Sequence, residues 1–298
     1  RDGFLKAIEH FQEAIDRDPS YALAYAGLAD AYNVLGYYNY LPPRDAYPKA
    51  KAAAMRALAI DESLAQAHAS LGYTRLFFDW DWAGAESAFL RAIELDPSYA
   101  SAHQWYAWCL LVMRRMDEMI EAMRTALQLD PLSLIINAHM GYALFWAGRF
   151  DDALEQLART QALDPNFALT YWPLGAIYVW QGRSEEAIAA FSRLVALTDG
   201  AIGMGYLGIT GGLGGHPEIA RDVLHRLEVA AATRYVSPLD RAISHAGIGE
   251  VEETFHWLTQ AVDDRVSDLV RLQVLPWPPE VRNDPRFAQV AARIGLAV

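Results

Sequence analysis

Asp96-Pro97, Asp130-Pro131 and Asp164-Pro165 divide the middle of the chain into steps of 34 residues. An earlier pair, Asp18-Pro19, lies 78 residues before Asp96, enough for two steps if one carries an insertion, and Asp61-Glu62 stands where the missing pair belongs. Between these markers other residues keep the same phase. One unit reads Tyr171, Leu174, Gly175, Tyr178, Gly182, Ala187 and Phe191 before Thr198-Asp199. The unit before it reads Gly141, Gly148, Ala153 and Leu157, and the unit ending at Asp96 reads Gly72, Ala85, Phe89 and Ala92. A fixed period of this length means one small supersecondary unit repeated and stacked, each burying its apolar face on the next.

The period and the small and aromatic positions resemble the tetratricopeptide repeat family over essentially the whole chain. The resemblance implies an all-α fold, a right-handed superhelical solenoid of helix–turn–helix repeats. Small residues such as Gly141, Gly175, Ala153 and Ala187 are expected to let the two helices of a pair approach. Tyr178, Phe191 and Phe89 are expected to fill the gap between neighbouring pairs. Proline after Asp is expected near the start of the next helix, where its missing N–H costs nothing and the Asp suits the helix dipole. Gly148 and Gly182 supply the turn inside a pair.

On this reading residues 1–298 form a single solenoid. Residues 1–18 are only the second helix of a pair, with Ala7, Phe11 and Ala14 in register, which predicts a piece of a longer chain. Residues 19–199 hold five repeats, the first with an insertion at 37–43 and a second helix from about Arg44. Residues 200–265 hold two degenerate repeats, and 266–298 a turn-rich stretch and a last helix from about Asp284, the cap that solenoids require. The segments Tyr21–Tyr32, Asp79-Trp80-Asp81-Trp82 and Asn283-Asp284-Pro285-Arg286-Phe287 are similar to the C-terminal repeat region of large bacterial signalling proteins. There such repeats follow a winged-helix DNA-binding, class III nucleotide cyclase or Ser/Thr kinase domain.

Composition narrows the function. The chain is 53% hydrophobic and 21% charged, enough to bury a large core. A net charge of −12 and the absence of any Lys/Arg cluster beyond Arg114-Arg115 oppose phosphate-backbone and anionic-membrane binding. No run of about 18 apolar residues predicts a membrane span. The lone Cys109 has no disulfide partner within these residues and fits a reducing, cytoplasmic setting.

The motifs that could carry chemistry read better as structure. Gly203-Met204-Gly205-Tyr206-Leu207-Gly208 spells G-x-G-x-x-G, but no β-branched run precedes it as a dinucleotide site requires. It reads instead as a loosely packed, flexible unit, since each interior helix glycine costs about 1 kcal/mol. His68 and His103 recur near the start of successive first helices, and with His139, His216 and His245 they show no metal-ligand spacing. Asp79 and Asp81 sit in a turn, where Asp is a natural cap. Cys109 lies in an apolar run and reads as an inert buried thiol. No catalytic set or cofactor motif is present, so the chain is not expected to be an enzyme.

Within the family the first helix of each pair lines the concave face. Carrying its offsets over places Leu23, Asp30 and Asn33 there, followed by Gln66, Tyr73 and Phe77. Gln104, Trp108 and Leu111 come next, then Tyr142, Phe145 and Trp146, and finally Trp172, Val179 and Trp180. The row is rich in aromatic residues, which are frequent at binding hot spots. It lacks the basic residues with which the best-known variant clamps a peptide carboxylate. The expected partner is a protein or peptide such as an amphipathic helix. The alternative is an apolar small molecule sensed on the same face, with any attached head domain responding. The insertion at 37–43 or an exposed end also offers a route to self-association.

Overall fold

The computed structural model describes residues 2–296, and Arg1, Ala297 and Val298, with any reading placed on them, lie outside. All regular structure among the described residues is helical. The chain forms two compact units, Arg1–Ala153 and Leu154–Val298.

The first unit holds α1 (Asp2–Arg17), α2 (Ala22–Tyr37), α3 (Pro43–Ile60), α4 (Ala65–Thr74), α5 (Trp82–Leu95), α6 (Ala100–Val112), α7 (Met116–Leu129) and α8 (Leu134–Trp146). A π-helical turn, Arg75–Asp79, extends α4. Helix α9 (Phe150–Leu163) carries the chain across the boundary. The second unit holds α10 (Tyr171–Trp180), α11 (Ser184–Leu197), α12 (Met204–Leu213), α13 (Pro217–Ala231), α14 (Pro238–Gly247), α15 (Val251–Asp263), α16 (Pro279–Arg282) and α17 (Pro285–Arg293). In the first unit each helix packs on its sequence neighbour, and the even-numbered helices α2, α4, α6 and α8 also pack on one another. The even helices are therefore the buried layer. Helix α8 buries ten of its thirteen residues, whereas α1 on the outside buries only Ile15.

Small-on-large packing sets the helix spacing inside each pair. A Cβ on Gly72 would lie 2.9 Å from the Phe89 ring, and one on Gly175 would lie 2.7 Å from the Phe191 ring. Phe89 and Phe191 thus press on glycines of their own pair, not only into the gap between pairs. Phe191 does both, because its ring also stacks on Tyr206 of the next pair at 5.8 Å.

The Asp-Pro pairs do something other than start a helix. Asp96 is the residue that closes α5, and Pro97 lies in the turn three residues ahead of α6. A carboxylate at a helix C-terminus opposes the dipole. Local hydrogen bonds compensate: Asp96 Oδ1 accepts from the Ser98 N–H at 3.0 Å and from the Ser98 hydroxyl at 2.7 Å. Asp18–Ser20 and Asp61–Ser63 repeat this turn, which explains why Asp61 stands in for a missing pair. One turn further on, a side chain reaches back six residues to close the same corner. His68 bonds the Glu62 carbonyl at 2.8 Å, His103 the Pro97 carbonyl at 3.0 Å, Asn137 the Pro131 carbonyl at 2.9 Å and Tyr171 the Pro165 carbonyl at 2.8 Å. The recurring histidines are turn locks, interchangeable with Asn and Tyr.

Two expectations change in the second unit. The glycines of α12 do not loosen it. A Cβ would meet Ile243 at 2.5 Å from Gly205, Ser244 at 2.4 Å from Gly208 and the Gly247 carbonyl oxygen at 2.1 Å from Gly212. Bare backbone lets α12 and α14 approach closely, and the pair is among the most intimate in the chain. The tail also holds more structure than its turn residues suggested. Ser267–Val274 winds as a 3₁₀ stretch with Ser267, Leu269 and Leu272 fully buried. The last helix begins at Pro285, capped by Asp284 accepting from the Arg286 N–H at 2.9 Å.

Candidate functional site

The structure separates the ten predicted groove residues into two sets. Asn33, Tyr73, Gln104, Trp108, Tyr142, Phe145 and Trp172 are buried. Asp30 and Trp146 are partly exposed, and Trp180 is 70% exposed. The expectation of an open groove is therefore corrected for seven of the ten, five of them rings. The reason is the packing of first helix on first helix. Trp108 of α6 meets Tyr142 of α8 edge-on at 5.5 Å and His139 at 4.7 Å, while Gln104 donates to His139 Nδ1 at 2.6 Å. Tyr73 of α4 is held between Tyr37, Phe77 and Trp105, with ring centroids 4.6–5.9 Å apart. These rings join successive units to one another.

In the second unit the tail covers the corresponding face. Arg271 of the 3₁₀ stretch is buried, bonds Asp268, and lies over the Trp172 ring at 5.3 Å. Asp240 at the start of α14 accepts the Gly205 N–H at 3.2 Å. Burial, then the charge of Asp268, pushes its carboxyl up to about 7, against the pull of that N–H and of Arg234. Sequence reasoning missed Arg271, because the tail carries no repeat period that would place it opposite Trp172.

Two accessible features remain in the first unit. Trp146, at the end of α8, lines a cavity of about 380 Å³ with Met116, Asp117, Ile120, Glu121 and Arg124 of α7 and with Ala147 and Arg149. Its lining mixes apolar Met116, Ile120, Trp146 and Ala147 with charged side chains of both signs and is more polar than apolar; Arg124 bonds Glu121, and Arg149 pairs with Asp152 at 2.6 Å. The second feature is Asp30 on α2. Its carboxylate accepts from the Ser70 hydroxyl of α4, and Ser70 is tied in turn to α2, its carbonyl accepting from Asn33 Nδ2 at 2.9 Å. Thr74 donates to Asn33 Oδ1 at 2.8 Å and completes the set. Crowding by neighbouring side chains pushes the Asp30 carboxyl up to about 7, and the Ser70 bond only partly offsets this. The signal for Ser70 and Thr74 was present in the sequence as polar residues one helical turn apart in an alanine-rich helix, matching Asp30 and Asn33 on its neighbour.

The remaining chemical candidates fall into structural roles. Asp81 caps α5 by accepting from the Gly84 N–H at 3.0 Å, and Asp79 pairs with Lys51 at 2.5 Å. Gly203 precedes α12 in a wholly helical setting, with no strand beside it among the described residues. Burial, then the Glu86 charge, pushes the Cys109 thiol up to about 12, partly relieved by Arg115. Among the described residues no three or more His, Cys, Asp or Glu side chains converge to hold a metal, and no helix is long and apolar enough to cross a membrane.

The geometry defines an all-helical repeat protein whose paired helices stack through their first members. Comparison agrees: the tetratricopeptide repeat family model matches residues 81–133 and 140–202. The matched residues carry tetratricopeptide repeats. Among solved structures, it superposes on a human IFIT1 dimer with m7Gppp-AAAA at 15% identity and a TM-score of 0.68, covering 99% of this chain and 67% of that one. It superposes on the APC/C hetero-tetramer Cut9-Hcn1 at 17% identity and a TM-score of 0.65, covering 98% of this chain and 52% of that one. Yeast Tom70 follows at 16% identity and a TM-score of 0.53, covering 97% of this chain and 62% of that one. At these identities the likeness is one of fold alone, and the chain spans roughly half to two-thirds of each of these three. No curated protein sequence matches the chain.

Proposed function

We propose that this chain is a non-catalytic scaffold or sensor module that binds a protein or peptide segment, and that it works as part of a larger signalling protein in the cytoplasm. Repeat folds of this class bind proteins and peptides, because stacked hairpins present long side-chain surfaces. The observation that carries the finer reading is Trp146. It is a predicted groove ring that is partly exposed and lines a cleft. Met116, Ile120 and Trp146 set among Asp117, Glu121, Arg124 and Arg149 suit one apolar anchor flanked by polar contacts. The net charge of −12 argues against carrying over the capped-RNA ligand of the human neighbour.

A selection from a random peptide library displayed on phage, against the purified chain and its Trp146→Ala variant, tests this. Peptides that bind the chain and lose about tenfold or more in affinity on the variant are the expected result. Peptides indifferent to Trp146→Ala would remove the cleft from the reading. A cleft of this volume also lies within the range of small-molecule pockets, about 300–1,000 Å³, so the second reading is a sensed metabolite. Only that reading expects a compound library to raise the melting temperature while the peptide selection stays empty.

A further inference from the structure

Asp30 on α2 is the second accessible group of the first unit. Partly exposed carboxylates in proteins are ordinarily matched by a cation or by several N–H donors, because a charge held away from bulk water is costly. Among the described residues Asp30 has one donor, the Ser70 hydroxyl. The basic groups of the neighbouring elements are committed elsewhere. Lys49 and Arg56 of α3 lie over the rings of Tyr32 and Tyr25. Lys51 pairs with Asp79, and Arg75 donates to the Gly84 carbonyl. His68 and His103 close their turns. Among the described residues no basic side chain pairs with Asp30. Tyr99, ahead of α6, is close enough that the Asp30 charge adds to burial in opposing ionisation of its phenol.

The carboxylate is nevertheless held firmly. Ser70, Asn33 and Thr74 are all fully buried and are linked to one another across α2 and α4. A network that fixes an acidic group while supplying no counter-charge orients it for something outside the unit. In the second unit a guanidinium of the tail, Arg271, lies over the Trp172 ring and brings its own carboxylate, Asp268 three residues before it.

We propose that Asp30, with Ser70 fixing its carboxylate, is a recognition point for a basic side chain, the guanidinium of arginine or the ammonium of lysine, on the bound segment. This rests on the reading that the chain binds a peptide, and it adds to that reading a requirement on the partner's sequence. A charge-assisted hydrogen bond to a sheltered carboxylate is stronger than a neutral one and rejects uncharged side chains. Binding also becomes pH-dependent. The ionised carboxylate is the binding form, so affinity rises with pH through the upper part of the neutral range and falls below it, with the Ser70 hydroxyl the polar group that bonds Asp30 and the Asp30 charge felt by Tyr99.

The test runs one random phage-displayed peptide library in parallel on the wild-type chain and on Asp30→Asn, at about pH 8. Asparagine keeps the shape and still accepts the Ser70 bond, and matching helical circular dichroism and melting curves check that the variant folds. The expected outcome is an Arg or Lys enriched at one position in wild-type peptides. Exchanging that residue for norleucine weakens binding to the wild type about tenfold or more, and has little effect on binding to Asp30→Asn. Wild-type affinity for the basic peptide falls between about pH 8 and about pH 5.5, and affinity for the norleucine peptide does not. Selected peptides without a basic preference, or one retained by Asp30→Asn, would overturn the assignment while leaving peptide binding intact. An empty selection on both proteins would instead remove the peptide-binding reading and this one with it.

Discussion

Replacing Gly175 by alanine puts a methyl group where the Phe191 ring already is, with its Cβ 2.7 Å from two ring carbons and 2.9 Å from a third. Ordinary carbon contacts begin near 3.4 Å, so ring or helix must retreat by roughly 0.7 Å. Phe191 cannot move away freely, because its other side stacks on Tyr206 and it is only 2% exposed. Overpacking of this kind costs about 1–3 kcal/mol, against about 1 kcal/mol recovered from better helix propensity. The expected net destabilisation is about 1–2 kcal/mol, read as a lower urea midpoint by circular dichroism. The decisive arm is the double variant. Phe191→Leu alone opens a void and destabilises, but with Gly175→Ala the methyl enters that space. The double variant should therefore be more stable than the sum of the single effects by about 1 kcal/mol or more. Strict additivity would refute the claim that this contact sets the spacing of α10 and α11. Gly3→Ala in α1, where a Cβ meets nothing within 4 Å, serves as the control and should be neutral to slightly stabilising.

The other expectations concern ionisable groups. The Asp240 carboxyl is raised from 3.8 to about 7 in the folded chain, so the protonated form is the one folding favours. Its contribution is fully present below about pH 4, declines as pH climbs toward 7, and stays lost above that. Asp240→Asn keeps the acceptor for the Gly205 N–H and should exceed the wild type in unfolding free energy by about 2–4 kcal/mol at about pH 8, with the gap closing by about pH 4; a gap independent of pH in urea titrations would contradict this. Cys109 is fully buried with its thiol pushed up to about 12, so it should resist a thiol-modifying reagent at about pH 8 in the native chain and react fully in urea. Rapid native modification would show that α6 opens far more easily than its packing implies.

The repeat was legible because it is a matter of period. Asp96, Asp130 and Asp164 mark corners, and a corner needs the same residue each time it recurs. Gly175 and Phe191 were legible as small and large positions for the same reason. What the period does not encode is the distance between neighbouring first helices. Trp108 and Trp172 occupy family positions that can face outward, yet close stacking turns them into the contact between units. The glycines of α12 were misread because propensity describes an isolated helix. Gly212 is costly alone but lets α12 meet Gly247 backbone to backbone. The tail stretch Ser267–Val274 has no periodic signal at all, so nothing in the sequence placed Arg271 over Trp172.

Asp30 and Asp240 show why a perturbed carboxyl must be read with its neighbours. Both are pushed up to about 7, and both lie on first helices. Asp240 is explained by its own unit: it accepts a backbone N–H from α12, feels Arg234 in its favour and Asp268 against it, and lies beside the tail that covers this face. Removing its charge should therefore change stability and nothing else. Asp30 is braced from below by Ser70, Asn33 and Thr74, but among the described residues no cation or backbone donor bonds it. If its role were only to join α2 to α4, an asparagine would serve as well and would avoid the cost of a sheltered charge. Retaining a carboxylate at that point makes sense when a positive group arrives from outside, and the exchange for asparagine separates those two accounts because it preserves the brace and deletes only the charge.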